Sequence, residues 1–294
     1  MEKKTESRIS LRKTDDAARF LECIDRSEFY ADFYETVAEN DEALHEICCS
    51  GRTVGLAEIF NGGSKGYLYI YIFPEFRNLG YGREAARLAE HEMMSPELKS
   101  ILTAYHVDDE TARRFALNCG YPRKYASAHM VYHGEKFELP ELPIRQYEDG
   151  DYTEAFSLYA EAFHRMRLST GCFPESVPKE QSEAGRREWA ETADERYVYV
   201  DKDEIVGFAH LEGSELASVS IKVSRQGEGF GRNFVRSMVN VIMEKTAEAP
   251  SLWCVVGNKK ARRLYDSLGF KEDFCEVFAE KKLSAAEMTR PEGD

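Results

Sequence analysis

The chain has 294 residues, 43% of them hydrophobic and 31% charged, and carries a formal net charge of -14. That length suffices for two ordinary domains, and the acidity argues against nucleic acid or an anionic membrane as a main partner, since both demand a basic face. Seven cysteines without Cys-x-x-Cys spacing and seven scattered histidines point to reduced thiols and no metal site. Residues 1–7 lead into no signal-like apolar core, and no run reaches membrane-spanning length, so a cytoplasmic location is expected.

The first element is a short alternating strand over 9–12, after which Thr14 is placed to cap a helix with Ala17, Phe20, Leu21 and Ile24 on one face. A second helical region ends near Asn40. Strands over 44–49 and 52–60 follow, joined by Ser50 and Gly51, and then a turn at Asn61, Gly62, Gly63 and Ser64. In the strand over 67–73, Tyr67, Tyr69 and Tyr71 alternate with aliphatics, the pattern of a half-exposed sheet face. At its end come Arg77, Gly80 and Gly82, and further on Asp109, Ala112, Ala116, Gly120 and Tyr121. A charged segment containing Pro140 and Pro143 then suggests a boundary at 139–141.

Beyond the boundary, Ile144 and Arg145 start another strand, and a helix carries Tyr152, Ala155, Phe156 and Tyr159 on one face before a long loop over 163–178. Val219, Ile221 and Val223 then alternate as a strand. Behind them lie Gln226, Gly227, Gly229, Phe230, Gly231 and Arg232, and a helix with Val235, Met238, Val239 and Ile242 as its apolar stripe. Strand, glycine loop and helix together suit an anion site, because backbone N–H groups converge at the positive end of the helix dipole; the competing reading is that the glycines only permit a tight bend. A strand over 252–256 precedes Asn258, Ala261, Tyr265, Gly269 and Phe270, which read as a cap, a short helix and a glycine stop.

The two halves repeat. Gly80 and Gly229, Ala112 and Ala261, and Gly120 and Gly269 all stand 149 positions apart, which an internal duplication explains. Leu11-Arg12 aligns with Ile144-Arg145 at an offset of 133, and Val54-Gly55 with Val206-Gly207 at 152, so the second copy holds 19 extra residues around 163–178. A long ordered loop is more often functional than a short one.

Together these motifs resemble the GNAT superfamily of N-acetyltransferases, in a two-copy form. The family's coenzyme A loop, Gln/Arg-x-x-Gly-x-Gly/Ala, is matched by Gln226, Gly229 and Gly231 and by Arg77, Gly80 and Gly82; its second motif by Asn258, Ala261, Tyr265, Gly269 and Phe270. The resemblance implies two α/β domains, 8–139 and 142–284, each a mixed, mostly antiparallel sheet flanked by helices. It also implies that the loop amides bind the pyrophosphate of acetyl-CoA, that Val223 pairs its backbone with pantetheine, that Asn258 contacts the cofactor arm and that Tyr265 protonates the leaving thiolate. Only Ser224 and Arg225 separate Val223 from Gln226, a shorter turn than the family's usual one.

Acetyl transfer to an amine needs a base, an oxyanion donor and a thiolate that can leave. An unperturbed amine with pKa ~10.4 is neutral in only ~10⁻³ of molecules at pH 7. Glu215 shares parity with Val223 and begins the strand from which the family draws a glutamate; a solvated turn carboxylate is the competing reading, with His210 and Glu212 in reserve. Where the second copy has Tyr265 the first has Ala116, which cannot donate a proton, so the first loop either binds coenzyme A or persists as a structural turn. The expected activity is N-acetylation of a small-molecule or peptidic amine by the second copy. The alternatives are a coenzyme A-binding regulatory module with little turnover and, more distantly, an assembly repeat with inert loops. Acidity and Glu175, Glu180 and Glu183 in the inserted region suggest a cationic acceptor; oligomeric state is left open.

Overall fold

The computed structural model describes residues 9–27 and 30–283. The expectations for residues 1–7 and for the polar tail from Ser284 lie outside them. Two compact units emerge: residues up to Lys124 joined by the stretch from Glu276 form unit 1, and Tyr125–Cys275 form unit 2. The division differs from one at 139–141, for a physical reason. Within unit 2, Asn240 bonds both the N–H and the carbonyl of Phe137 at 2.8 Å, and Arg236 covers the Phe137 ring at 5.0 Å, so the proline-flanked segment is pinned to a helix.

In unit 1 the strands are β1 (Ile9–Lys13), β2 (Leu44–Cys49), β3 (Arg52–Asn61), β4 (Lys65–Ile72) and β5 (Ser100–His106). β1 through β4 pair antiparallel in sequence order, and β4 pairs parallel with β5. The helices are α1 (Ala31–Ala38), α2 (Tyr81–Met93) and α3 (Glu110–Asn118). The helix expected after Thr14 is a 3-10 helix, Ala18–Cys23; the Thr14 hydroxyl accepts from the nearby Asp16 N–H and does not cap it, and the Ala17 N–H donates to Asn40, 23 residues away. On the tyrosine face of β4, Tyr67 and Tyr69 are half-buried as expected, but its end is covered. Tyr71 is buried, and Phe33 of α1 stacks on Tyr69 at 4.7 Å and on Tyr71 at 5.5 Å.

Unit 2 repeats the plan with β6 (Arg123–Tyr132), β7 (Ile144–Gln146), β8 (Arg196–Asp201), β9 (Glu204–Glu212), β10 (Glu215–Ile221) and β11 (Ser251–Val255). β7, β8, β9 and β10 pair antiparallel in turn; β10 pairs parallel with β11, and β11 antiparallel with β6. Its helices are α4 (Tyr152–Thr170), α5 (Glu183–Glu191), α6 (Phe230–Lys245) and α7 (Lys259–Leu268). The sixth strand of each sheet comes from the other repeat. β6, which follows α3, joins β11, and β12 (Phe270–Lys282), which follows α7, supplies Glu276–Lys282 to β5. Each sheet is therefore complete only when the whole chain is present.

Much of the inserted segment is helix. No residue before Gly171 breaks the pattern, so α4 runs on through Met166 and Leu168 until Gly171 adopts φ 71° and stops it. Ser182 then caps α5 by accepting from Gly185 N–H at 3.0 Å. α4 and α5 cover one sheet face, where Trp189 stacks on Phe208 at 4.4 Å and meets Tyr147, Tyr152, Phe156 and Tyr159. Truncating so large a buried ring leaves a cavity that its neighbours fill only in part. Trp189→Ala is expected to destabilise unit 2 by about 3–5 kcal/mol, read from a shifted urea midpoint. An unshifted midpoint would show that the ring is not central to this core.

Candidate functional site

The site begins where two parallel strands part. β10 and β11 are paired only at Glu215 and Ser251, and the rest of β10, from Ser218 to Ile221, bonds β9 alone. The edge of β10 that faces β11 is thus left without a ladder partner. β4 and β5 part in the same way after Tyr67 and Leu102. Past each parting the chain makes a short 3-10 turn, 223–225 in unit 2 and 74–76 in unit 1, and enters a helix through a left-handed glycine. Gly227 and Gly229 adopt φ 92° and 94°; at the same repeat positions Asn78 and Gly80 adopt 63° and 88°. A Cβ on Gly227 or Gly229 would meet nothing within 4 Å, so the space beside these amides is open. No side chain caps α6 at Gly229, which leaves its first-turn N–H groups free for an anion.

Several expected ligand residues do other work. Val223 is not on the strand: β10 ends at Ile221, and Val223 opens the 3-10 turn that so short a connection requires. Gln226 donates from Nε2 to the Ile221 carbonyl at 3.1 Å, and Arg77 donates from Nε to the Ile72 carbonyl at 3.0 Å. Two different side chains therefore tie the loop back to the strand end in the same manner. Arg225, in the short turn before Gln226, is engaged by Asp201, Glu204 and Glu228 at 2.8, 3.0 and 3.1 Å and stands over the Phe230 ring at 4.8 Å.

α7 is drawn alongside this loop by three contacts. Lys260 donates to Gln226 Oε1 at 3.2 Å, Arg232 donates to Ser267 Oγ at 2.7 Å, and the α face of Gly231 lies 3.9 Å, measured from a built Cβ, from Leu264. Asn258 caps α7 by accepting from Ala261 N–H at 3.2 Å, so its side chain serves the helix first. Lys259 and Lys260 occupy the next two positions, both exposed. In unit 1 the corresponding residues are Asp109, Glu110 and Thr111. Asp109 caps α3 through Ala112 N–H at 2.9 Å, and Glu110 pairs with both Arg113 and Arg114. The rim that is cationic in unit 2 is anionic in unit 1, a contrast legible at the 149-residue offset but not in the motif residues themselves.

Tyr265 is buried against Phe270, ring centroids 5.8 Å apart, with its pKa pushed up first by burial and then by the nearby Cys254 thiol on β11. Glu215 sits at the closed end of the parting, on the order of 10 Å along β11 from Cys254. A bulge between Glu215 and Ser218 cancels the parity inferred from sequence: Glu215 faces Glu212 and shares its sheet face with Ser218 and Ser220. It is half-buried, and burial, then Glu212, raises its pKa while His129 opposes them. His210, on the same face, is engaged by Glu195 and Glu212 at 3.4 and 3.3 Å. The end of α4 reaches the other side of the site, since Thr170 would lie 3.1 Å from a Cβ on Gly257, next to Asn258. Glu180 and Glu183 are exposed on the segment that leads into α5.

Residues 11–121 match the profile described as the acetyltransferase (GNAT) family, and residues 202–279 match the one described as FR47-like protein. A GCN5-related N-acetyltransferase from Sphaerobacter thermophilus superposes with a TM-score of 0.72 at 18% identity, over 93% of this chain and 95% of that one. A tandem GNAT protein from the clavulanic acid biosynthesis pathway, solved without AcCoA, gives 0.58 at 12% identity over 94% and 98%. An acetyltransferase of the GNAT family from Colwellia psychrerythraea gives 0.58 at 13% identity over 94% and 100%. At such identities the agreement is one of fold. No curated protein sequence matches the chain. Among the described residues there is no cluster suited to a metal ion and no helix long and apolar enough to cross a membrane.

The Arg225 network makes the glycine loop a rigid part of unit 2. Arg225→Ala is expected to lower the melting temperature, more at low than at high ionic strength, and Arg225→Lys to restore only part of the loss, because an ammonium lacks the guanidinium fork. A melting temperature unchanged at low salt would show that these ion pairs do not hold the loop.

Proposed function

As this chain belongs to the GNAT family of acetyltransferases, we propose that it transfers the acetyl group of acetyl-CoA to an amine and that unit 2 carries out the reaction. The observation that supports this reading best is the entrance to α6: an uncapped helix N-terminus, two open left-handed glycines and exposed Lys259 and Lys260 beside them. A protein of net charge -14 repels an anionic cofactor at long range, so a site for it must be locally positive. The amides of 227–232 would take the pyrophosphate, with the two lysines alongside. The unpaired edge of β10 gives a backbone donor or acceptor for the extended arm, from Ser218 to Ile221 where Val223 was expected.

Acetyl-CoA, when bound, would supply the thioester, and its acyl carbon would take the amine while coenzyme A leaves as the thiol. The new C–N bond replaces the C–S bond, the amine's proton goes to Glu215, and the departing sulfur is protonated by Tyr265. Burial acts differently on the two groups: it keeps the Tyr265 phenol protonated but makes it a weaker acid, so its contribution is small, whereas a carboxylate whose pKa is raised is a stronger base than an exposed one. Glu212, Glu195 and Glu215 gather at the closed end of the parting, which favours an acceptor that arrives as a cation.

Tyr265→Phe keeps the ring and removes the proton. It is expected to lower kcat by roughly 10²-fold, the lower end of general acid catalysis, with coenzyme A affinity unchanged. Full turnover in this variant, followed by thiol release, would remove Tyr265 from the mechanism. Glu215 must be ionised to act, and its pKa is raised, so kcat/KM should fall as pH drops through a value above the ordinary carboxylate range. Glu215→Gln should abolish that acid limb and cost roughly 10²- to 10⁴-fold at neutral pH. A limb that survives in Glu215→Gln would assign the base elsewhere. Coenzyme A binding without acetyl-CoA consumption across a broad panel of amines would favour a regulatory module over an enzyme.

A further inference from the structure

We propose that the cofactor cleft of unit 1 is closed from within by Tyr30, so that unit 1 takes no coenzyme A and the chain carries one such site. The count of one rests on the reading of unit 2. The Tyr30 phenol donates to Asp109 Oδ2 at 3.1 Å, and its ring stands edge-on to Tyr71 at 5.1 Å. The Arg77 guanidinium lies 5.7 Å from the centroid of Tyr30 and 5.2 Å from that of Tyr71. Tyr71 belongs to β4, Arg77 to the loop that follows it, and Asp109 to the cap that follows β5. One side chain therefore joins the three elements that would border an extended ligand, beyond the point where β4 and β5 part.

Tyr30 lies outside the 149-residue offset, but the residues around it are changed at the same repeat positions of unit 2. Tyr69 and Tyr71 become Ser218 and Ser220, Arg77 becomes Gln226, and Asp109 becomes Asn258. The rings that fill unit 1 give way to hydroxymethyl groups. Ser220 is buried and its Oγ has no hydrogen-bond partner, so a polar group stands unsatisfied where unit 1 has the Tyr71 ring. The lock in unit 1 is also matched to its surroundings. Burial and the adjacent Asp109 carboxylate push the Tyr30 pKa up to about 12, so the phenol remains a donor throughout the physiological range. Tyr71 is fixed in turn, its hydroxyl accepting from Asp25 N–H at 2.7 Å. Asp109 and Glu110 add negative charge where a phosphate-bearing ligand would enter. Gly80 and Gly82 then serve a structural turn, and a Cβ on Gly82 would fall 3.0 Å from the Phe115 ring, which would have to shift to admit it.

Isothermal titration of the full chain with coenzyme A tests this. The wild type is expected to bind one equivalent. Gly229→Val, which places a β-branched residue at φ 94° in unit 2, is expected to bind none. In that background, Tyr30→Ala with Asp109→Asn and Glu110→Lys should open unit 1 and restore measurable binding of one equivalent. Far-ultraviolet dichroism and thermal melts establish that each variant is folded. Two equivalents in the wild type, or one retained in folded Gly229→Val, would overturn the closure. A folded combined variant that still binds nothing would overturn Tyr30 and its charged neighbours as the cause. A wild-type count of zero would contradict the reading of unit 2 while agreeing with a closed unit 1.

Discussion

Both units depend on one backbone constraint, the reversal of a strand into a helix across a handful of residues. The reversal forces residues 78 and 80, and 227 and 229, into left-handed conformations, which glycine adopts without steric cost and asparagine tolerates. A side chain five residues beyond the strand end then ties the loop to the last strand carbonyl, Arg77 in one unit and Gln226 in the other. The turn places helix N–H groups at the mouth of the parting between two parallel strands. Geometry of that kind is retained by both copies, and a Cβ at Gly80 would meet as little as one at Gly229; what differs is the side chains beside the strand parting.

The contrast between the copies separates the fold's requirements from those of chemistry. Glycine conformations, helix caps and the strand-end hydrogen bond recur in both units, so they are needed by the fold whether or not a ligand binds. Charge and bulk do not recur. Lys259 and Lys260 face Glu110 and Thr111 across the repeat, Ser218 and Ser220 face Tyr69 and Tyr71, and Tyr265 faces Ala116. On the proposed reading, each substitution suits unit 2 better than unit 1 to an anionic cofactor and to proton transfer.

Much of this was legible in the sequence. Motif spacing gave both glycine loops, both capped helices and the 149-residue repeat, because turns and caps are set by local residue chemistry. The sequence misplaced what depends on distant partners. Val223 was assigned to a strand because its parity fits, yet the hydrogen bond from Gln226 closes the strand at Ile221. A bulge in β10 turned Glu215 to the other sheet face, and no periodicity reveals an unpaired residue in advance. The exchange of β6 and β12 could not be seen at all, since pairing across more than a hundred residues leaves no local mark. Tyr30 lies outside both motifs, and only its contacts with Arg77 and Asp109 give it a role.

The central claim is that an acyl-CoA site operates in unit 2 and not in unit 1, and amide hydrogen exchange with and without acetyl-CoA addresses it directly. The account predicts that acetyl-CoA protects the amides of residues 227–232 and leaves those of 78–83 unchanged. Protection at 78–83, or at neither loop under saturating acetyl-CoA, would contradict it.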